Sequence, residues 1–434
     1  MSDRLTQISA PERAKVEGLV DHLFRRESGR LVATLTRIFG PSNLSLAEEV
    51  VQEALIQALN LWPFQGVPDR PAAWLATVAQ RKALDVVRRG SRFHALEPEI
   101  ERAFWQMRAP PEAADAVAFR DELGDDQLEM MFTCCHPDLR PDSRVALTLK
   151  TLGGFGVSEI ARAFLVTEST INQRLVRAKR RLRDRDVGFG VPEPDALADR
   201  LRSVLECLYL MFNEGYLAGY GGDLIREDIC HESLRLALLL AEHPAMGGPE
   251  AHALCALMMF QAAHFPARTD ANGDLRPLAD QDRDVWDHTL IARGFAALKL
   301  AQSGDQLSAY HIEAGIAACH ASAPSYDATD WPAIRLFYNQ LMKVRSSPVV
   351  ALNRAVAIAM TDGPRAGLAA LDAIGEAAEL RRYALLPATR GEFHLRLGEY
   401  DRAANAFKAA LALSGVEPER RYIAGKLSAC ETTL

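Results

Sequence analysis

The stretch from Val145 to Asp184, VALTLKTLGGFGVSEIARAFLVTESTINQRLVRAKRRLRD, leaves little freedom in how it folds. A helical apolar pattern runs through Val145, Leu147 and Leu149, breaks at Gly153-Gly154, resumes from Ser158 to Phe164, and resumes again from Glu168 to Leu182. Three helices follow from this. Only Leu165, Val166 and Thr167 lie between the second and third, which is the connection length of a helix-turn-helix. Ile160, Ala161, Leu165, Ile171 and Leu175 are expected to supply its buried contacts, with Ala161 small enough for the helices to cross closely. Thr167 is placed to N-cap the third helix by accepting from the free N–H groups of its first turn.

The outer face of that third helix offers Thr170, Asn172, Gln173, Arg174 and Arg177, then Lys179, Arg180, Arg181, Arg183 and Arg185. Amides pair bidentately with adenine and guanidinium groups with guanine, while the distal cations suit phosphates. From Thr167 to Arg185 the net charge is +5, more than a helix C-terminus needs to offset its dipole. The segment reads as a major-groove reader rather than a merely solvated basic turn.

A chain of 434 residues is too long for one ordinary core, so two or three domains are expected. Its overall charge of −7 is wrong for a simple DNA binder, but the acidity is unevenly placed: residues 1–190 carry +1 and residues 191–434 carry −8. None of the seven cysteines has the two-residue spacing of a zinc knuckle, and the His136 that follows Cys134-Cys135 lacks the remote ligand a tetrahedral site requires. Buried reduced thiols, with no metal and no cofactor, are the expectation. The opening MSDRLTQISAPERAK has no apolar h-region and no apolar run approaches the roughly 20 residues that span a bilayer, so a cytoplasmic protein is expected.

The first 92 residues form a second basic unit. Val16 to Phe39 reads as a helix closed by Gly40-Pro41. Ser45 to Glu48 reads as a capping box opening another helix that runs to about Trp62, with Ala47, Val50, Val51, Ala54, Ala58 and Leu61 inward. Its other face shows Glu49, Gln52, Glu53, Ile56 and Asn60. After the loop WPFQGVPDRP, a third helix from near Ala72 turns Trp74, Leu75, Val78, Ala79 and Leu84 inward and carries Arg81, Lys82, Arg88, Arg89 and Arg92. Trp62, Phe64 and Trp74 beside these cations could hold unstacked single-stranded bases, or, for Trp74 above all, could be core. Residues 93–124 form an acidic linker broken by Pro110-Pro111. From Phe93 to Asp142 the net charge is −8, and Asp125 to Phe132 begins the next domain's first helix.

Two small basic helical domains on an acidic tether resemble an extracytoplasmic-function sigma factor of bacterial RNA polymerase. LAEEVVQEALIQALNLW (46–62) resembles the region 2 helix that docks on the polymerase clamp. WLATVAQRKALDVVRR (74–89) resembles the segment that melts and holds the −10 element, and the stretch from Gly153 to Asp184 resembles region 4, which reads the −35 element. The resemblance covers about residues 10–187. It implies core docking through Glu49, Gln52 and Glu53, −10 recognition through Arg81 and Asp85, and −35 recognition through Asn172, Gln173, Arg174 and Arg177. Arg81 stands where many relatives carry a short polar residue, and Gly156 where a Ser or Thr commonly caps the first helix of the motif. The chain's length and its TCCHPDL lead-in resemble the subgroup with a C-terminal tetratricopeptide-like extension.

Beyond Pro192 and Pro194 helices follow one another with short Gly/Pro/Asp breaks. GEFHLRLGEYDRAANAFKAALAL places Gly391, Gly398, Tyr400, Ala403, Phe407 and Ala410 at tetratricopeptide spacing, and residues 349–374 repeat it loosely with Gly363 and Gly367. Such pairs stack because one alone cannot bury its apolar face. Residues 267–287 are rich in aspartate without calcium-loop spacing and read as an acidic surface loop, packed against the basic domains. His231-Glu232 lacks the second histidine of a zincin, while Glu214, His231 and His264 could share a groove.

The expectation is therefore an all-α, non-catalytic sigma subunit: region 2 at 1–92, linker at 93–124, region 4 at 125–190 and a helical-repeat regulatory domain at 195–434. Core polymerase and promoter DNA are its implied partners, together with a regulatory protein or an intramolecular contact through the C-terminal domain. A duplex-binding regulator with a tetratricopeptide sensor, and a metal-dependent helical-repeat hydrolase using Glu214 and His231, are the alternatives.

Overall fold

Leu31, Val32, Leu35 and Ile38 recur at helical spacing, and in the computed structural model of the chain they are buried along one side of helix α1 (residues 27–39). The structure describes residues 27–433 apart from 90–94, 109–125, 165, 186, 193, 217–225, 245, 271–273, 304–305, 376, 378–379, 382 and 416. Residues 16–26 of the expected first helix, Arg92, Pro110-Pro111 and Leu165 lie outside the described residues. Among those described, no strand forms beyond an isolated antiparallel bridge between Thr269 and Leu275, so the fold is all-α as expected. The chain divides into two compact units, Met1–Leu210 and Met211–Leu434.

In the first unit, Gly40 ends α1 at φ 83°, and Pro41–Asn43 form a 3-10 turn that runs directly into α2 (Leu44–Gln65). The expected capping box at Ser45 does not form. The turn starts the helix before Ser45, and the Glu48 carboxylate is engaged elsewhere, by Lys179. Helix α3 (Pro71–Arg89) buries Leu75, Val78, Ala79, Ala83 and Val87, whereas Trp74 and Leu84 are half-buried. The acidic stretch that follows contains α4 (Glu97–Arg108). Ile100, Ala103 and Phe104 are buried on its inner side, and α4 packs on α3.

Residues 126–134 form α5, followed by α6 (Pro141–Thr151), α7 (Val157–Ala163), α8 (Glu168–Asp184) and α9 (Pro194–Tyr216). Pro141 sits at the first turn of α6, where its missing N–H costs nothing. Helix α9 completes this second module. Ser203 Oγ donates to the Cys135 carbonyl at 2.5 Å, Arg200 Nη2 to that of Phe132 at 2.6 Å, and Arg144 pairs with Glu206 at 3.0 Å. Cys134, Cys135 and Cys207 are buried free thiols; Cys135 and Cys207 share the Thr148 hydroxyl at 3.6 Å each.

The two modules are in contact with each other. Asp126 of α5 accepts from Thr34 Oγ1 at 2.6 Å and from Arg37 Nε at 2.8 Å, and Arg37 also reaches Glu99 of α4 at 2.7 Å. Gly29 of α1 lies against the backbone of Leu152, where a Cβ would collide with its carbonyl.

The second unit is a succession of helices, each packed on the next: α10 (Glu227–Glu242), α11 (Pro249–Ala262), α12 (His288–Ala301), α13 (Ala309–Ser322), α14 (Trp331–Val344), α15 (Pro348–Asp362), α16 (Pro364–Asp372), α17 (Leu385–Arg396), α18 (Tyr400–Leu413) and α19 (Glu417–Thr433). Apolar around most of its circumference, α11 is buried nearly throughout and touches α10, α12 and α13. In the 267–287 loop Asp287 caps α12 and Asp282 caps a 3-10 turn, while Asp274 pairs with the distant Arg421 of α19.

Close approach explains two glycines here. A Cβ on Gly391 would lie 2.8 Å from the buried Phe407 ring, and one on Gly367 would meet Ala359 and the Phe393 ring. Gly391→Ala is expected to destabilise the protein by about 1–3 kcal/mol through overpacking. Gly425→Ala, in α19 with nothing within 4 Å of the new Cβ, should instead stabilise by about 0.5–1 kcal/mol. Urea unfolding of the two variants checks the contrast.

Candidate nucleic-acid interface

Thr167 Oγ1 accepts from the Thr170 N–H at 3.2 Å and so caps α8. Ile171, Leu175, Ala178 and Leu182 are buried on one side of the helix, which fixes what the other side shows. Asn172, Gln173, Val176, Arg177 and Arg180 are exposed. Val176, 65% exposed, was not anticipated. Its signal was available as an apolar residue three positions from Gln173 and four from Arg180, and such a side chain suits a thymine methyl group. The first helix of the motif starts without a hydroxyl cap, but the Gly156 N–H donates to Glu159 Oε2 at 2.7 Å, half of a capping box.

Several of the expected phosphate and base contacts are engaged within the protein. Arg174 Nε lies 3.2 Å from Asp142, and its guanidinium is 5.8 Å from the Phe164 ring. Arg185 and Arg181 approach Asp138 at 3.2 and 3.9 Å. Between these partners runs a groove of about 390 Å³ lined by Thr170, Gln173, Arg174 and Arg177 on one side and Asp138 and Asp142 on the other. Arg180 pairs with Asp184 at 3.4 Å in full solvent, an interaction worth about 0–1 kcal/mol and easily exchanged for a phosphate. Lys179 differs: it pairs with Glu48 of α2, and both side chains are largely buried. Arg177 makes no ion pair among the described residues.

In the first module the aromatic set separates into two roles. Trp62 is 7% exposed and Trp74 packs edge-on against it, with centroids 5.4 Å apart, whereas Phe64 is 73% exposed. Arg81, Asp85 and Arg89 are exposed on α3. Lys82 pairs with Glu53 at 2.7 Å, and Arg88 donates to Glu97 at 2.8 and 3.1 Å. On α2, Glu49, Gln52, Glu53 and Ile56 share an exposed face, and Leu59, 55% exposed like Ile56, extends it by three residues. The spacing from Ile56 to Leu59 would have found it. Among the described residues no group of three or more His, Cys, Asp or Glu could hold a metal ion, and no helix is long and apolar enough to cross a membrane. His231 packs on Phe265, centroids 6.0 Å apart, while His264 stacks on Trp286.

A capped basic helix in one module and a basic, aromatic-bearing helix beside an acidic face in the other are the parts expected of a sigma-type transcription protein. The comparisons agree: the family model for sigma-70 region 2 matches residues 23–93, that for sigma-70 region 4 matches residues 129–182, and a family of unknown function, DUF6596, matches residues 200–302. The ECF RNA polymerase sigma factor SigK of Mycobacterium ulcerans (strain Agy99) is 30% identical over 191 residues, 42% of this chain and 90% of that protein. SigK of Mycobacterium tuberculosis (strain ATCC 25618 / H37Rv) is 29% identical over 181 residues, with the same coverage. An uncharacterized protein of Rhizobium meliloti (strain 1021) is 39% identical over 409 residues, 94% of each chain. No solved structure matches. The chain belongs to the extracytoplasmic-function sigma factors of the sigma-70 family.

Thr167→Ala removes the α8 cap and is expected to cost about 1 kcal/mol. Hydrogen exchange at the Thr170 amide should quicken accordingly.

Proposed function

We propose that this sigma factor reads duplex promoter DNA with α8 and stabilises a melted segment with α3, and that its C-terminal unit regulates the process. As a sigma factor it directs core RNA polymerase to promoters and starts transcription there. The observation that carries the division of labour is α8 itself: one buried apolar stripe, one hydroxyl cap, and an outer face of amides and guanidinium groups. Gln173 and Asn172 reach base edges, Arg177 reaches a guanine or a phosphate, and Thr170, Arg174, Lys179 and Arg180 grip the backbone once freed from their carboxylates. Arg81, Lys82, Arg88 and Arg89 track a single-stranded backbone while exposed Phe64 stacks on a base, Trp74 supports that surface, and Asp85 orders the neighbouring cations. Glu49, Gln52, Glu53 and Ile56 dock on the polymerase. The protein acts by binding rather than by catalysis, and in the cytoplasm, where polymerase and promoter are.

The contacts between the modules support a closed form that must open before α8 can serve as reader. Lys179 is held by Glu48 and Gly29 lies against Leu152 across the module boundary, while Arg174 is held by Asp142 within the second module. Glu48 Oε1 is buried and makes no hydrogen bond among the described residues.

Transcription from a genomic promoter library with purified core polymerase tests the reading. Gln173→Ala and Arg177→Ala should each lose about 1–3 kcal/mol of discrimination at a promoter position; normal transcription by both variants would mean that the reader lies elsewhere. Glu48→Gln weakens the hold on Lys179 and should raise the affinity of the full chain for duplex promoter DNA. Unchanged affinity in a gel-shift titration would show that the closed packing does not limit access.

A further inference from the structure

Of six polar side-chain atoms in the second unit that are buried and without a hydrogen-bond partner among the described residues, one is Gln281 Oε1; the other five are His264 Nε2, Arg283 Nη2, Trp286 Nε1, His320 Nδ1 and Trp331 Nε1. They belong to one continuous group. His264, 6% exposed, follows α11 and stacks on Trp286, 4% exposed, with ring centroids 4.1 Å apart. The Arg283 guanidinium lies 4.4 Å from the Trp286 ring, and its Nη1 donates to the carbonyls of His320 at 2.5 Å and Ala323 at 2.7 Å. Trp331, at the start of α14, packs edge-on against His320 at 5.3 Å. Three helix ends and the aspartate-rich loop thus bring these side chains together.

Native interiors leave few donors unsatisfied, and several in one cluster require an explanation. We propose that these five side chains form a binding site for a small monoanionic carboxylate, an input to the C-terminal unit that the promoter-reading surfaces do not use. The chemistry of these five atoms is one-sided. Arg283 Nη2 and the two indole nitrogens can only donate, and each imidazole can donate by choice of tautomer. An acceptor-rich partner satisfies all of them, and no ligand donor is needed.

Charge points the same way. Among the described residues no carboxylate forms an ion pair with Arg283, so its half-buried cation lies beside apolar rings without a counter-ion. Both imidazoles are neutral at ordinary pH: burial, together with His320, Arg268 and Arg283, pushes His264 down to about 3, and burial with Arg283 pushes His320 down to about 4. The cluster's own formal charge is therefore a single positive one from Arg283, which a monocarboxylate cancels and a phosphate dianion exceeds. A guanidinium flanked by N–H donors is also the planar, forked arrangement that suits a carboxylate.

Isothermal titration of the full chain with sodium acetate, sodium formate, inorganic phosphate and sodium chloride, at matched ionic strength, tests the assignment. Acetate or formate should bind saturably at one site, more tightly than phosphate and chloride. Trp286→Phe and Trp331→Phe, which keep an aromatic ring and remove only the N–H, should each weaken that binding roughly ten-fold, in keeping with the loss of one hydrogen bond to a charged group. Arg283→Gln should abolish it. Should Arg283→Gln fail to fold, the two phenylalanine variants still decide the matter. No saturable heat with any of the anions, equal heats for chloride and acetate, or undiminished acetate affinity in both phenylalanine variants would overturn the proposal and leave ordered water as the partner of these atoms.

Discussion

The buried carboxylate of Asp126 ties the two helical modules of the first unit together. It is 7% exposed and accepts from both Thr34 and Arg37, and Arg37 carries the link on to Glu99 in α4. Removing one partner from a buried charge of this kind costs several kcal/mol, roughly 3–5, because the remaining charge is left in a poor solvent. Glycine at position 29 lets the same helix approach the Leu152 backbone, and Glu48 reaches Lys179 farther along the interface. Packing, hydrogen bonding and charge therefore act together along one seam, and the orientation of α8 relative to α2 depends on it.

What could be read from the residues was mainly what is local. The cap at Thr167, the stripe of Ile171, Leu175, Ala178 and Leu182, and the close helix crossings at Gly367 and Gly391 all follow from spacing within a turn or two, and the structure contains each of them. The capping box expected at Ser45 failed because the preceding 3-10 turn starts the helix one residue earlier and because Glu48 is bound to a lysine 131 positions away. Charge counting likewise concealed α4. Its many carboxylates drew attention from Ile100, Ala103 and Phe104, whose spacing of three and four residues is that of a buried helix face. The engagement of Arg174 by Asp142 was illegible for the same reason as that of Lys179, since long-range ion pairs leave no periodic trace.

The functional surfaces show a similar division. Exposure of Phe64, Ile56 and Leu59, and burial of Trp62, depend on how α2 packs against α3, so the sequence left the aromatic roles open. In the second unit, His264, Arg283, His320 and Trp331 come from separate elements, and their convergence is a property of the stacked helices. The groove suggested for Glu214, His231 and His264 takes a different form: His231 lies on Phe265, and His264 turns to Trp286.

The Lys179–Glu48 pair has a thermodynamic consequence for where the chain spends its time. Largely removed from water, it lies beyond the reach of mobile counter-ions, which screen exposed charges over a length of about 8 Å at physiological ionic strength. Attachment of a basic helix to a duplex depends on releasing ions condensed on the polyanion and weakens steeply as electrolyte is added. Ionic strength thus acts unequally on this buried pair and on any duplex contact proposed for the same lysine, and concentrated electrolyte favours the inward-facing pair.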